Sequence, residues 1–291
     1  MRCFVFTGQG SQFLGMGKDI LELKPEYNIY FDKVKEKIGI DIKQIIFGDD
    51  EKELTLTQNA QVAILTISYM KYLYALSQGI IPDVVAGHSL GEWTAILAAE
   101  VISFEDAVEA VYYRGLYMSE AIEPGKGGMA AILGLDLSEI ERVLKNYPNV
   151  QIANYNSPAQ IVISGEMEEL LISMEKLKEN GAKKVIPLNV SGPFHSKFLK
   201  EAEERLRQKI ETLIFNKPKI PIVQNVSAKF ETDPAIIKEN IIKQITAPVR
   251  WIECVEECIN NGVDEFIEIG PTQVLTKFIK QINKNVKLVN F

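Results

Sequence analysis

Histidine, cysteine and tryptophan are scarce in this chain, and long apolar runs are missing. Its 291 residues include two histidines, three cysteines and two tryptophans. No segment approaches the roughly 20 consecutive apolar residues of a transmembrane helix, and the apolar run at Met1–Phe6 is too short for a signal peptide. A small, odd number of cysteines is typical of a reducing compartment. We therefore expect a cytoplasmic protein without a membrane partner.

An excess of positive charge is also missing. The formal net charge is −7, and no basic stripe dominates, which argues against nucleic acid as a partner. Cys254 and Cys258 stand four apart on a predicted helix and could share one face. Because no further His or Cys stands near them, we interpret them as packing residues and expect no metal site. Only His88 and His195 are available for histidine chemistry.

The order of predicted elements indicates an α/β fold. Strands alternate with helices along most of the chain, which is typical of a mostly parallel sheet covered on both faces. After a Gly- and Pro-containing linker at 123–128, the order becomes β-α-β-β-α-β, as in ferredoxin-like units. We predict a large α/β-hydrolase-like domain formed by residues 1–126 and 190–291, with a small ferredoxin-like domain inserted at residues 127–189.

One stretch of the large domain carries a signature of nucleophilic catalysis. Residues Gly87–Gly91 fit the G-x-S-x-G pattern, between a predicted strand at Val84–Ala86 and a predicted helix that begins at Leu90. This pattern is typical of a nucleophile elbow, in which glycines allow a strained turn and a helix N-terminus favours developing negative charge. It predicts Ser89 as a nucleophile. A plain glycine–serine turn is the alternative for the bare pattern.

A serine nucleophile needs a base within hydrogen-bond reach. His88 adjoins Ser89, but adjacent side chains on a sharp turn usually diverge, which favours His195 in its loop braced by Gly192 and Pro193. Elbow hydrolases carry an acid between the serine and the histidine, and no Asp stands in an obvious strand-end loop there. We therefore predict a Ser–His dyad whose histidine is oriented by another group, such as a main-chain carbonyl.

Two further features are candidates for a functional role: a glycine-containing loop after the first predicted strand, and an arginine within a predicted helix. The loop Gly8–Gln12 is neither a dinucleotide fingerprint nor a Walker A loop, because Phe13 and Met16 occupy required Gly and Lys positions. In an elbow enzyme such a loop supplies the second oxyanion donor; a plain tight turn is the alternative. Arg114 lies among apolar residues of a predicted helix at Phe104–Glu120, and a buried arginine needs a partner, whether functional or structural.

Seven short motifs together resemble those of the malonyl-CoA:acyl carrier protein transacylases. The likeness runs nearly end to end and includes the inserted small domain. In chain order the motifs are Gly8–Gln12, Thr57–Gln61, Gly87–Glu92, Arg114-Gly115 with Met118, Asn154–Pro158, Gly192–Ser196, and Gln244 ahead of Pro248–Trp251. Seven motifs in order are far more specific than the elbow alone.

The resemblance implies a role for each residue of the reacting centre. Ser89 would carry the malonyl ester, and His195 would be its base. The backbone N–H groups of Gln9 and Leu90 would form the oxyanion hole. The main-chain carbonyl of Gln244 would orient the histidine, which supplies the orienting group that the residues alone do not identify.

The resemblance also implies how the substrate is selected. Arg114 would clamp the malonyl carboxylate in a bidentate fork, a geometry that suits a guanidinium. Phe194 would favour malonyl over methylmalonyl, and His88 would line the same substrate pocket. Trp93 and Ser119 depart from the residues common in the family, Tyr and Gln respectively, which leaves pocket detail open rather than activity.

The implied reaction is a ping-pong transfer from malonyl-CoA to the phosphopantetheine thiol of acyl carrier protein, for fatty acid synthesis, with the coenzyme A thioester as substrate and no cofactor. The resemblance implies an acidic carrier protein, which would need basic contacts on this acidic chain; simple solvation is the alternative interpretation of surface lysines. The candidates are Lys183, Lys184, Lys277, Lys280 and Lys284. A polyketide-pathway acyltransferase, a serine esterase or lipase, and a non-catalytic carrier-binding module remain alternative functions.

Overall fold

A computed structural model describes every residue of the chain, 1–291, and contains two β-sheets surrounded by helices. The strands are β1 (Arg2–Phe6), β2 (Val84–Gly87), β3 (Gly127–Leu133), β4 (Val150–Ser157), β5 (Gln160–Glu166), β6 (Lys184–Pro187), β7 (Ile222–Val223), β8 (Phe230–Glu231), β9 (Glu265–Ile269) and β10 (Lys287–Asn290). The helices are α1 (Lys18–Leu23), α2 (Ile29–Ile38), α3 (Ile42–Phe47), α4 (Glu51–Thr55), α5 (Thr57–Ser77), α6 (Leu90–Ala98), α7 (Phe104–Glu120), α8 (Leu137–Leu144), α9 (Met167–Glu179), α10 (Lys200–Ile210), α11 (Pro234–Lys243), α12 (Trp251–Asn260) and α13 (Leu275–Ile282). None of them combines the length and hydrophobicity that crossing a lipid bilayer requires.

The larger sheet has six strands in the order β10-β9-β1-β2-β7-β8. All neighbouring pairs are parallel except β7 and β8. Alternate residues of β1 enter different apolar clusters: Phe4 and Phe6 pack on one face, and Cys3 and Val5 pack on the other. Helices therefore cover both faces, as a parallel sheet requires. The predicted α/β class with a mainly parallel sheet is confirmed.

The smaller sheet is antiparallel throughout, with the order β4-β5-β3-β6. Its elements follow one another as β-α-β-β-α-β, the order expected from the sequence. One face packs on α8 and α9 through an apolar cluster that includes Ile132, Ile140 and Ile163. The domain boundaries at residues 127 and 189 stay a prediction, although β3 begins at Gly127.

Backbone hydrogen bonds join β4 of the smaller sheet to the segment that precedes α12. Val249 N donates to Ala153 O over 2.8 Å, and Tyr155 N donates to Val249 O over 2.9 Å. Because β4 is attached to this segment, the face of the smaller sheet opposite α8 and α9 lies over the elbow. This arrangement creates a cavity between the smaller sheet and the elbow.

Some predicted elements were wrong in their bounds. The sequence pattern predicts a strand at Ile220–Asn225, but the strand is only Ile222–Val223, because Asn225 leaves the ladder and its N–H donates to the Glu92 carboxylate over 2.7 Å. The sequence also predicts Thr57 as the N-cap of a helix that begins at Gln58, but Thr57 is the first residue of α5, and its hydroxyl bonds to Ser191 Oγ over 2.9 Å instead. The short strands β8 and β10 had no expected counterpart, since two to four residues carry little periodicity.

The glycines of the elbow are required by close backbone packing. A Cβ added at Gly91 would lie 2.0 Å from Phe6 O and 2.9 Å from Thr7 O. Both contacts are with backbone atoms of β1 and its loop, so no side-chain movement can relieve them. The glycine therefore allows α6 to start directly against β1.

Replacing Gly91 with Ala should destabilise the protein by about 3 kcal/mol or more, because the extra methyl forces β1 and α6 apart. Denaturant unfolding followed by circular dichroism would measure this loss. The control is Gly192→Ala, where the nearest atom to an added Cβ lies 3.5 Å away. If both variants unfold at the same denaturant concentration as the parent chain, this account of the elbow is wrong.

Candidate active site

Ser89 occupies a strained turn between β2 and α6. Its φ and ψ are 52° and −110°, a conformation that L-residues rarely adopt. Two side chains brace it: Asn225 Oδ1 accepts from Ser89 N over 2.9 Å, and Gln244 Nε2 donates to Ser89 O over 3.1 Å. Such strain persists only where the surroundings hold it. The sequence predicts the turn, and amides from distant positions maintain it.

The structure brings Ser89 and His195 together although they are 106 positions apart. Ser89 Oγ lies 2.8 Å from His195 Nε2. The other ring nitrogen, Nδ1, lies 2.8 Å from the carbonyl oxygen of Gln244. A carbonyl can only accept, so Nδ1 must carry the proton, and Nε2 is left as the acceptor facing the serine hydroxyl. The tautomer is therefore the one that a general base needs.

Burial keeps this imidazole neutral. His195 is 3 % exposed, and its pKa is lowered to about 3, first by burial and then by the positive charge of Arg114. The pKa of His88 is also lowered by burial. A neutral base is ready to accept the serine proton throughout the neutral pH range.

His195 should take up no proton between about pH 8 and pH 5, because its pKa is lowered to about 3, although a free imidazole titrates near pH 6.5. The chain has only two histidines, so nitrogen-15 NMR of histidine-labelled protein can resolve both. We expect the titration midpoint of His88 to lie below the free value, and we expect His195 to show the shifts of a neutral imidazole protonated at Nδ1 across this range. A titration of its signal with a midpoint near pH 6.5 would contradict this description of the site.

Arg114 lies in α7, fully buried beside the nucleophile. Its Nη2 donates to Ser89 Oγ over 3.1 Å and to Gln244 Oε1 over 3.0 Å, and its Nη1 donates to Gln61 Oε1 over 2.6 Å. Its Nε is buried and has no hydrogen-bond partner. Burial lowers the pKa of this guanidinium to about 10. A buried cation held only by neutral groups is suited to receive an anion.

Two backbone N–H groups near Ser89 are free. Neither Gln9 N nor Leu90 N donates a hydrogen bond within the protein. Leu90 opens α6, where the helix leaves its first amides unpaired. The loop that carries Gln9 approaches the elbow so closely that a Cβ on Gly8 would lie 2.4 Å from His88 O. The two amides are thus available as oxyanion donors.

A cavity of about 580 Å³ opens over these groups. Five of the predicted site residues line it: Gln9, His88, Ser89, Phe194 and His195. The smaller sheet covers it with apolar side chains, namely Met129, Ala131, Leu133, Val162 and Ile186. Leu90, Arg114 and Gln244 do not line it but lie fully buried behind its wall. The cavity therefore combines an apolar roof with a polar, reactive floor.

His88 contacts the smaller sheet rather than the nucleophile. Its Nε2 lies 2.7 Å from Asn156 Oδ1, and its ring packs edge-on against Trp251 with centroids 5.7 Å apart. It therefore helps to form the cavity wall, and it is not placed as the base. Phe194 is 5 % exposed and limits the space next to His195.

Sequence reasoning missed several polar residues of this site. Asn225 and Gln224 stand where a longer strand was expected, and Gln61 appeared within a motif without a role of its own. Gln61 connects two predicted site residues, since it accepts from Arg114 and donates to Gln9 Oε1 over 3.4 Å. Gln61 is 1 % exposed, but that burial is set by the fold, and α5 carries other polar residues, so no sequence signal singles Gln61 out.

The chain matches the family of acyl transferase domains over residues 3–290. Among curated proteins, it is 45 % identical to the malonyl CoA-acyl carrier protein transacylase of Bacillus subtilis, covering 98 % of this chain and 92 % of that protein. The protein of the same name from Staphylococcus aureus is 42 % identical, with 98 % and 94 % covered.

Solved structures give the same result. An acyl carrier protein S-malonyltransferase from Vibrio cholerae superposes with a TM-score of 0.96 at 37 % identity, covering 100 % of this chain and 96 % of that one. A malonyl-transacylase in complex with a type II polyketide-synthase acyl carrier protein superposes with a TM-score of 0.97 at 36 % identity, with 100 % and 95 % covered.

Proposed function

Since the chain belongs to the acyl transferase family, among the malonyl-CoA:acyl carrier protein transacylases, we propose that Ser89 carries a malonyl group from malonyl-CoA to the thiol of an acyl carrier protein. The observation that carries this proposal is the pair of contacts made by Ser89 Oγ, 2.8 Å from His195 Nε2 and 3.1 Å from Arg114 Nη2. The first activates the hydroxyl, and the second puts a cation beside the acyl group that the hydroxyl would receive.

In the first half-reaction, His195 Nε2 takes the proton of Ser89 as Oγ attacks the thioester carbonyl. The N–H groups of Gln9 and Leu90 stabilise the oxyanion, a contribution typically worth about 3 kcal/mol per donor. The carbon–sulfur bond then breaks, and His195 returns the proton to the departing thiol of coenzyme A. The product is a malonyl ester on Ser89.

In the second half-reaction, the carrier thiol replaces coenzyme A. His195 removes its proton, the sulfur attacks the serine ester, and the proton goes back to Ser89 Oγ as the ester bond breaks. Each proton and electron pair is exchanged among substrate thiols, Ser89 and His195. The proposed cycle therefore requires no cofactor besides the thioester substrate.

The selection of malonyl follows from Arg114. Its Nε has no partner in the protein, and Nη2 lies next to the nucleophile. A malonyl carboxylate one carbon from the ester carbonyl would accept from Nε and from Nη2 in a bidentate manner, replacing the hydrogen bond of Nη2 to Ser89 Oγ. A serine esterase acting on uncharged esters would have no use for a buried guanidinium whose hydrogen-bond acceptors are all neutral. Phe194 would reject a methyl branch by occupying its space, a preference of about 1–3 kcal/mol.

The acidic carrier protein would approach along the cavity rim. Lys184 lies in β6, whose Ile186 lines the cavity, and Lys277 and Lys280 lie in α13, whose Phe278 does so. Lys183 immediately precedes β6, and Lys284 stands two residues after the end of α13. All five lysines are exposed, and the ion pair with a carboxylate in this part of the chain is made by Lys287 instead, so we propose the five as carrier contacts.

We further propose a cytoplasmic enzyme that supplies malonyl carrier for fatty acid synthesis. All three cysteines are free, as a reducing compartment favours. A polyketide pathway is the alternative, because one solved relative is bound to a polyketide carrier. Comparing transfer to a fatty-acid and to a polyketide carrier protein would decide between them, and a higher kcat/KM with the polyketide carrier would contradict our choice.

The experiment for the function itself mixes the protein with malonyl-CoA and follows intact mass. We expect the gain of one malonyl group and, after addition of carrier protein, its loss from the enzyme and appearance on the carrier. Free malonate without acylated carrier would indicate a hydrolase. No covalent adduct at all would indicate a binding module.

A further inference from the structure

A buried acid next to the active site has no part in the reaction described above. Glu92 lies in the first turn of α6, three residues after the nucleophile, and is fully buried. Its carboxylate accepts three hydrogen bonds: from Gln224 Nε2 over 3.0 Å, from Asn225 N over 2.7 Å, and from Gln244 Nε2 over 3.0 Å. A buried carboxylate is costly unless its acceptor sites are filled, and all three donors here are neutral amides.

The contact with Gln244 decides how that amide is oriented. A carboxylate only accepts, so Nε2 of Gln244 must face Glu92, and Oε1 must face away. Oε1 is then the atom that accepts from Arg114 Nη2 over 3.0 Å. In the flipped orientation, Gln244 Nε2 would face Arg114 Nη2, and two donors would oppose each other. Glu92, the only charged acceptor at Gln244 Nε2, therefore selects, together with Ser89 O and Asn225 Oδ1, the orientation that gives Arg114 an acceptor.

Gln244 also reaches the dyad. Its main-chain carbonyl holds His195 Nδ1, and its Nε2 donates to Ser89 O over 3.1 Å. A single residue thus contacts the base, the nucleophile's backbone and the proposed carboxylate clamp. Its side-chain Nε2 is held by the Glu92 carboxylate and by Asn225 Oδ1, which lies 3.1 Å from it.

We propose that Glu92 is a positioning residue: through the Gln244 side chain, it keeps Arg114 and His195 in the positions that malonyl transfer requires. This rests on the proposed function. The carboxylate acts only as a hydrogen-bond acceptor and touches no reacting atom. Its effect is larger for malonyl than for an uncharged acyl group, because only malonyl uses Arg114.

The ionisable groups facing Glu92 are Arg114 from α7 and Cys254 from α12. Burial raises the pKa of Glu92 to about 7, while the three donated hydrogen bonds and Arg114 act in the opposite direction. The acylation rates should therefore be measured near pH 8, where Glu92 is ionised.

The test compares two substitutions of Glu92 by the rate of enzyme acylation with malonyl-CoA and with acetyl-CoA. Glu92→Met keeps the length but removes both acceptors. We expect kcat/KM for malonyl-CoA to fall about 10- to 100-fold, the range for partners that orient reacting groups, and the malonyl-to-acetyl ratio to fall with it. Glu92→Gln keeps one oxygen facing Asn225 N and Gln244 Nε2, so most of the activity and of the ratio should return.

A double-mutant cycle tests the route through Gln244. Gln244→Ala removes the amide but leaves the carbonyl that holds His195, and it should lower the malonyl-to-acetyl ratio by itself. In that background Glu92→Met should lower the ratio no further, since the link is already cut. Should Glu92→Met not fold, the Gln244→Ala result still decides, because an unchanged ratio overturns the proposal.

Ile140→Ala is the control for stability. Ile140 is fully buried on the face of the smaller sheet away from the cavity, and its truncation should lower stability without changing the ratio. Equal losses on both thioesters in Glu92→Met, or a Glu92→Gln variant as impaired as Glu92→Met, would refute the positioning role. A parent enzyme that forms no malonyl adduct would instead refute the proposed function.

Discussion

Replacing Ser89 with Ala should abolish the malonyl adduct and lower transfer to the carrier by about 10⁴-fold or more, as removal of a serine nucleophile does elsewhere. The hydroxyl is the only group held against His195 Nε2, at 2.8 Å, so its loss leaves the base without a proton to take. Intact-mass measurement after addition of malonyl-CoA checks the adduct, and a carrier-acylation assay checks the rate.

The control for Ser89→Ala is Ser164→Ala. Ser164 is a fully buried serine of β5 whose hydroxyl has no hydrogen-bond partner, and it does not line the cavity. Its removal should leave adduct formation intact. A malonyl group still found on Ser89→Ala would move the nucleophile to another residue and remove the basis of the proposed mechanism.

Replacing Arg114 with Ala should lower kcat/KM for malonyl-CoA while sparing acetyl-CoA. The lost contact is a buried, charge-assisted one, worth about 2–5 kcal/mol, or about 30- to 5,000-fold. Acetyl has no carboxylate to clamp, so the malonyl-to-acetyl preference should collapse or invert. Acylation rates with the two thioesters, measured on the same preparation, give this ratio directly.

Arg114→Lys separates charge from shape. Lysine keeps the positive charge but cannot present the planar fork, so it should recover only part of the malonyl activity. Thermal unfolding of both variants shows whether the fold survives. If Arg114→Ala loses malonyl and acetyl transfer equally, Arg114 is a structural residue and the carboxylate clamp lies elsewhere.

The elbow and His195 are the two site predictions that depended least on tertiary contacts. The elbow follows from local backbone geometry, and His195 follows from the small number of histidines. The elbow could be predicted because glycines at 87 and 91 and the change from apolar strand to helix are local features. His195 could be chosen because the chain offers only two histidines and the other adjoins Ser89 on a sharp turn. The group that orients His195 was left open by the residues and came only from the family resemblance.

The amides around the elbow could not be predicted from residue patterns. Gln61, Asn225 and the Gln244 side chain show no periodicity that distinguishes a buried polar partner from a solvated one. Asn225 meets Ser89 because β2 pairs with β7 in the larger sheet, so residues that follow the two strands face each other. Gln244 then reaches Ser89 O from 155 positions away.

The sequence by itself determined the α/β class, the order of elements in the smaller sheet, and the strained turn at Ser89, because each follows from hydrophobic periodicity or glycine sterics within a few residues. Only the tertiary structure decided which side-chain amides accept hydrogen bonds from Arg114, how the Gln244 amide is oriented, and that Glu92 accepts from Gln244. Those choices depend on strand order and burial, since a buried polar group is defined by the partners that the fold brings to it.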